Sequence, residues 1–247
     1  MKQRVSVSAV TWLDAWEAAA ALAPGLREAE LLRPACQSDA EALGRLPIGA
    51  RDALLLDLRY ALFGPRLQCI AACPACGELC EWSCGVDALR AEATAIGAET
   101  EGKWHDGGWD VRFRLLNGLD LAAANACADE TAAAYLLRER CVIAATHEGV
   151  DVAARDFPDA VAEALGAAMA KADPQAASTV ALSCPACGEP WEADFDIGAF
   201  VWTEFDAWAR RALAEVHLLA SHYGWSERDI LTMSPARRAQ YVAMVRS

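Results

Sequence analysis

The chain has 247 residues, 22 basic and 35 acidic, giving a net charge of −13, and 55% of it is apolar. That length allows one large or two small domains with a real core. The acid excess argues against a protein that wraps nucleic acid, because phosphate binding runs on surplus Lys and Arg. No window holds the roughly 18 uncharged apolar residues that a bilayer span needs. Asp14 and Glu17 also interrupt the N-terminal region before any apolar stretch of signal-peptide length. The expectation is a soluble, cytoplasmic protein.

Residues 8–23 read as a helix, with Thr11 and Asp14 as its N-terminal capping pair and Pro24-Gly25 as its stop. A second helix is predicted over 25–33, before Pro34, and Leu43 to Gly49 reads as a connection. From Arg51 to Phe63, Leu54, Leu55, Leu58 and Leu62 recur at helical spacing and end at Gly64-Pro65. Strand-like residues then lead into the phrase Cys73-Pro74-Ala75-Cys76-Gly77-Glu78. After it, Glu92 to Gly108 has no period and reads as a loop. Trp109, Val111, Phe113 and Leu115 alternate with charged residues as in a half-buried strand. Asn117-Gly118 turns the chain, and helices are predicted at 120–127, 129–145 and 158–172. A second strand enters Cys184-Pro185-Ala186-Cys187-Gly188-Glu189. Val201, Phe205, Trp208, Ala212, Val216, Leu219 and Tyr223 then mark one face of a long helix that Gly224 ends. Short helices follow from Ser226 and from Ser234-Pro235.

The two cysteine phrases are one hexapeptide repeated 111 positions apart (184 minus 73), and Glu81 and Ala88 recur as Glu192 and Ala199 at the same offset. This is an internal duplication of a strand–knuckle–strand unit. Two thiolates two residues apart in a tight turn bind one metal ion from the same side. The following glycine lets the chain turn left-handed so that backbone N–H groups point at the sulfurs. One knuckle offers two ligands and a structural zinc site needs four, so Cys73, Cys76, Cys184 and Cys187 are the expected zinc ligands. Rubredoxin-like iron uses the same set. Three alternatives stand beside this reading: a redox CxxC at a helix start, metal-free knuckles that only turn the chain, and a local site of Cys73, Cys76, Cys80 and Cys84. Against the last, the repeat sets Val180, Trp191 and Phe195 opposite Cys69, Cys80 and Cys84, which marks those three as small buried hydrophobes.

The expected fold is therefore α+β, mainly α-helical, with a small antiparallel zinc-ribbon-like unit made of two CPxCG knuckles. Its parts are a helical segment 1–64, the ribbon halves 65–90 and 174–198, an inserted strand and helices over 91–173, and a helical segment 199–247. His217 and His222 are five apart, off the spacing of a helical metal pair. His105 reads as a loop residue and His147 as following a helix end. There is no phosphate-binding glycine loop and no GxSxG elbow, and Arg210-Arg211 and Arg237-Arg238 read as partners of local acids. No catalytic residue, small-molecule substrate or enzyme activity is expected.

The run Leu46-Pro47-Ile48-Gly49-Ala50-Arg51-Asp52-Ala53-Leu54-Leu55-Leu56-Asp57-Leu58-Arg59, then Phe63-Gly64-Pro65-Arg66-Leu67 and the first knuckle, resembles the T-even-type phage baseplate (hub) proteins also found in gene clusters for phage-tail-like contractile injection systems. The second knuckle with Asp196-Ile197 and Phe200-Val201-Trp202 fits the same resemblance. So do Glu215 to Ala220, Tyr223 to Glu227, Asp229 to Leu231 and the end through Arg237, Arg238 and Tyr241. The resemblance implies a non-enzymatic structural or assembly role with other baseplate or tail-like proteins as partners, in the cytoplasm or within such a particle. Two other readings remain open: a zinc-ribbon regulator or adaptor contacting nucleic acid or the transcription machinery, and a thiol oxidoreductase using the CxxC pairs.

Overall fold

A computed structural model describes residues 7–91 and 100–246. The chain is α+β and mainly helical, with small antiparallel sheets. Four helices come first: α1 (Ala9–Ala20), α2 (Leu26–Cys36), α3 (Ala40–Gly44) and α4 (Ile48–Phe63). Ser8, rather than Thr11, caps α1, its side chain accepting the Thr11 N–H. Pro34 does not end α2 but lies in its last turn, and the helix closes at Gln37 in the left-handed region. Before α4, Asp39 caps the five-residue α3, whose last two residues, Leu43 and Gly44, fall in the stretch expected as a connection. Helix α4 starts three residues earlier than expected and stops, as expected, before Gly64-Pro65.

Strands β1 (Arg66–Ala72) and β2 (Leu79–Gly85) form one antiparallel hairpin around the first cysteine turn. Strands β3 (Glu101–Asp106), β4 (Trp109–Arg114), β5 (Val142–His147) and β6 (Val150–Asp151) form a four-stranded antiparallel sheet in that order. This corrects two expectations. The described part of the 92–108 loop is strand β3, while 92–99 lie outside the described residues. The helix expected over 129–145 stops at Cys141 and continues as β5. Helices α5 (Gly118–Asn125), α6 (Glu130–Cys141) and α7 (Asp159–Ala172) complete this region. Strands β7 (Thr179–Ser183) and β8 (Pro190–Asp194) form the second cysteine hairpin, and α8 (Ile197–Tyr223), α9 (Glu227–Thr232) and α10 (Pro235–Arg246) end the chain.

The core falls into parts that follow these elements. The largest joins α1, α2, α4 and the start of α8 around Trp12, Leu31, Leu55, Leu58 and Phe205, and takes in Leu67 of β1. A second packs the later half of α8 against α9, α10 and Leu13. The stripe read from the sequence is this helix's inner face: Val201, Phe205, Ala212, Val216 and Leu219 are buried, and Trp208 and Tyr223 pack partly buried beside them. A third packs Val111, Phe113 and Ala145 of the four-stranded sheet on Leu165 of α7. Each fully buried Leu or Phe stabilises the fold by about 1.5–3 kcal/mol relative to exposure.

Buried charges are paired. Arg59 of α4 grips Glu204 of α8 through two hydrogen bonds of 2.8 and 3.0 Å. Asp120, with no exposed surface, accepts from Arg114 and Arg140 and from the Asn117 N–H. Arg210 and Arg238 meet Asp206 and Glu215, as the sequence reading expected of these clusters.

Candidate metal centre

The repeated hexapeptide folds twice into one turn. In the first copy, Cys73 N–H donates to Glu78 C=O and Gly77 N–H to Cys73 C=O, both at 2.9 Å. In the second, Cys184 N–H donates to Glu189 C=O and Gly188 N–H to Cys184 C=O, again at 2.9 Å. Gly77 and Gly188 have φ of +76° and +79°, where a side chain is strained, so both turns need glycine there. Each turn caps a hairpin: Ala72 faces Leu79 in the first, and Ser183 faces Pro190 in the second.

What brings the hairpins together lies at their bases. Asp173, just before the second hairpin, accepts the N–H of Gly49 in the first turn of α4 at 2.9 Å. Gln175 donates to Leu89 C=O and Ser178 Oγ and accepts from Ala91 N–H, at 2.9–3.0 Å. Between the strands, Trp82 of the first hairpin meets Phe195 edge-on at 5.9 Å.

The result is that the two turns face each other. Cys73 Sγ lies 3.7 Å from Cys187 Sγ, and Cys76 Sγ lies 3.6 Å from Cys184 Sγ. All four sulfurs fall within 4.8 Å of one another. Each turn gives one buried cysteine, Cys73 or Cys184, and one exposed cysteine, Cys76 or Cys187. All four are free thiols. A tetrahedral thiolate site with metal–sulfur bonds of about 2.3 Å has sulfur–sulfur edges of about 3.8 Å, so the two close pairs match that size. An all-sulfur set suits zinc or iron and disfavours calcium and magnesium, which take oxygen.

The thiols also differ in acidity. Backbone N–H groups of Cys187 and then Ala186 pull Cys184 down to about 6 against the opposing effect of burial. Cys76 is drawn down by the Glu78 N–H, but bonding to the sulfurs of Cys187 and Cys184 wins and pushes it up to about 12. Sulfurs this close cannot all ionise without a cation between them.

The local alternative of Cys73, Cys76, Cys80 and Cys84 is not what comes together: Cys69 and Cys84 pack partly buried against the main core. Cys80 fits its reading as a small buried hydrophobe and also touches one of the four cysteines. It is buried, and its Sγ lies 3.9 Å from that of Cys184. The repeat hid this, because Trp191 stands in the equivalent place; the one signal was a further cysteine four positions after Cys76. Neither knuckle opens a helix; each is followed by a strand. The histidines do not join the cluster. His105 lies on β3 with Nδ1 3.3 Å from Asp110, His147 lies on β5 stacked on Trp109, and His222 packs against Tyr223.

The model of a protein family described as T4 bacteriophage base plate protein matches residues 29–200, from α2 to the first turn of α8. The chain belongs to this family. It is a phage baseplate protein, and no helix among the described residues is long and apolar enough to cross a membrane. The match spans both cysteine turns and, unlike the resemblance read from the sequence, runs through the region between them; the C-terminal phrases beyond 200 lie outside it. No curated protein and no solved structure gives a significant match.

Proposed function

We propose that the chain is a non-enzymatic structural or assembly protein in the baseplate of a contractile phage-tail-like injection system, tied together by one structural zinc ion on Cys73, Cys76, Cys184 and Cys187. The observation that carries this reading is the meeting of two cysteine turns, 111 positions apart, inside the stretch matched by the baseplate family. A zinc ion bound by four thiolates keeps no open position for a substrate and serves as a cross-link. The halves 65–90 and 174–198 then act as one ribbon-like unit, with 1–64 and 199–247 as helical flanks and 91–173 as an insert. Such a unit holds neighbours at fixed angles. The net charge of −13 favours partners with basic patches, which speeds and orients their encounter. Its place of work is the phage-tail-like particle, or the cytoplasm in which that particle is assembled.

Affinity purification of the tagged chain from cells producing the particle tests this. Tail and baseplate components should co-purify at near-stoichiometric levels. Recovery of no tail, sheath or baseplate component, or of RNA polymerase instead, contradicts it.

A further inference from the structure

Cys80 stands outside the four-sulfur set and touches it. Strand β2 places it opposite Ala71, on the hairpin face that also carries Trp82 and Cys84. That face is turned inward, and Cys80 is only 5% exposed, grouped with Cys73, Cys184 and Trp191. Its Sγ has two acceptors in reach: the Glu78 carbonyl at 3.5 Å and the Cys184 sulfur at 3.9 Å. A thiolate is the better acceptor of the two, because a hydrogen bond to a charged group is roughly twice as strong as one between neutral groups. In the second repeat the equivalent place holds Trp191, so the arrangement is one-sided and bears on Cys184.

We infer that Cys80 is a positioning residue of the metal centre, its S–H donating to the sulfur of Cys184 and holding that ligand in its metal-binding orientation. The inference rests on the four-cysteine reading proposed above. A donor at a ligand sulfur draws off charge, which reduces electron donation to the metal and fixes the sulfur's direction. These two effects oppose each other in affinity and the orientation decides the sign, since losing an outer partner that orients a ligand typically weakens metal binding about 10- to 100-fold.

Cobalt(II) replacing zinc in the full chain gives the test, because its sulfur-to-cobalt charge-transfer band reads the ligand sulfurs directly. Compared with the unaltered chain, Cys80→Ala should move that band to lower energy and weaken cobalt affinity about 10-fold in a chelator competition. Cys80→Ser, whose hydroxyl still donates, should restore both. Cys80→Val fills the space and should not, and Cys84→Ala, on the same face of β2, should leave the band unmoved. An unchanged band and affinity in Cys80→Ala overturns the inference. Equal restoration by Val and Ser also overturns it, since that is the behaviour of packing. Failure of the four-cysteine reading looks different: the unaltered chain itself then takes up no cobalt with a tetrahedral thiolate spectrum.

Discussion

Gly49→Ala sets two effects of opposite sign against each other. Gly49 lies in the first turn of α4, and alanine is a better helix residue than glycine by about 1 kcal/mol. Propensity alone therefore predicts stabilisation. The structure predicts the reverse. A Cβ on Gly49 falls inside the Asp173 carboxylate, 2.8 Å from its Cγ, and 3.0 Å from Gln175 Cβ. Those two side chains hold the segment leading to the second cysteine hairpin, so they cannot give way freely. Moving Asp173 breaks its hydrogen bond to the Gly49 N–H, a charge-assisted bond worth about 1.5–3 kcal/mol. It also removes a negative charge from a helix N-terminus, worth about 0.3–1 kcal/mol. Burial pushes the pKa of this carboxyl above the usual carboxylate range, which places the bond's contribution at the lower end. After the propensity gain the net loss is about 1–2 kcal/mol. Urea denaturation of the metal-free chain should show a lower midpoint at unchanged slope. Zinc affinity should fall as well, since the hairpin spacing depends on this junction. A neutral or stabilised Gly49→Ala with full zinc affinity refutes the reasoning.

Gly77→Ala and Gly188→Ala have open space around the new Cβ, so only backbone strain acts, and each should cost about 1–2 kcal/mol in thermal unfolding of the metal-bound chain. Asp120→Ala leaves the partly exposed Arg114 and Arg140 without their shared carboxylate and should cost about 1.5–3 kcal/mol by chemical denaturation; a loss below 1 kcal/mol contradicts the pairing. Burial pushes the Asp52 carboxyl up to about 6, despite Arg51 at 2.7 Å, because desolvation outweighs the ion pair. Since the native state binds that proton more tightly than the unfolded chain, the contribution is full below pH 4 and is lost as pH rises through 6, by at most roughly 3 kcal/mol. Asp52→Asn should flatten the stability–pH curve between those values, and an unchanged curve contradicts the assignment.

The features legible in the sequence were those with local causes. The α8 stripe showed because a long amphipathic helix repeats its apolar step many times. The end of α4 showed because Gly64-Pro65 stops a helix whatever surrounds it. The cysteine turns showed because their hexapeptide is duplicated. What stayed hidden depends on distant contacts. Strand β3 carries Gly102 where alternation calls for an apolar side chain, and the ring of Phe113 from β4 takes that space, its Cε2 2.6 Å from where a Cβ would stand. Strand β5 follows α6 with no breaker, and alanines 144 and 145 favour helix; pairing with β4 decides the matter. Pro34 is tolerated in α2 because only the last turn loses a hydrogen bond. The side-chain contacts of Asp173 and Gln175 that align the hairpins bridge 84 to 124 residues, beyond the reach of any local pattern.

The most direct test is elemental analysis of natively purified chain combined with X-ray absorption at the zinc edge. One equivalent of zinc with four sulfur neighbours at about 2.3 Å is the predicted result. Metal-free protein that stays folded, or an ion whose shell contains nitrogen or oxygen, contradicts a cross-link made by Cys73, Cys76, Cys184 and Cys187.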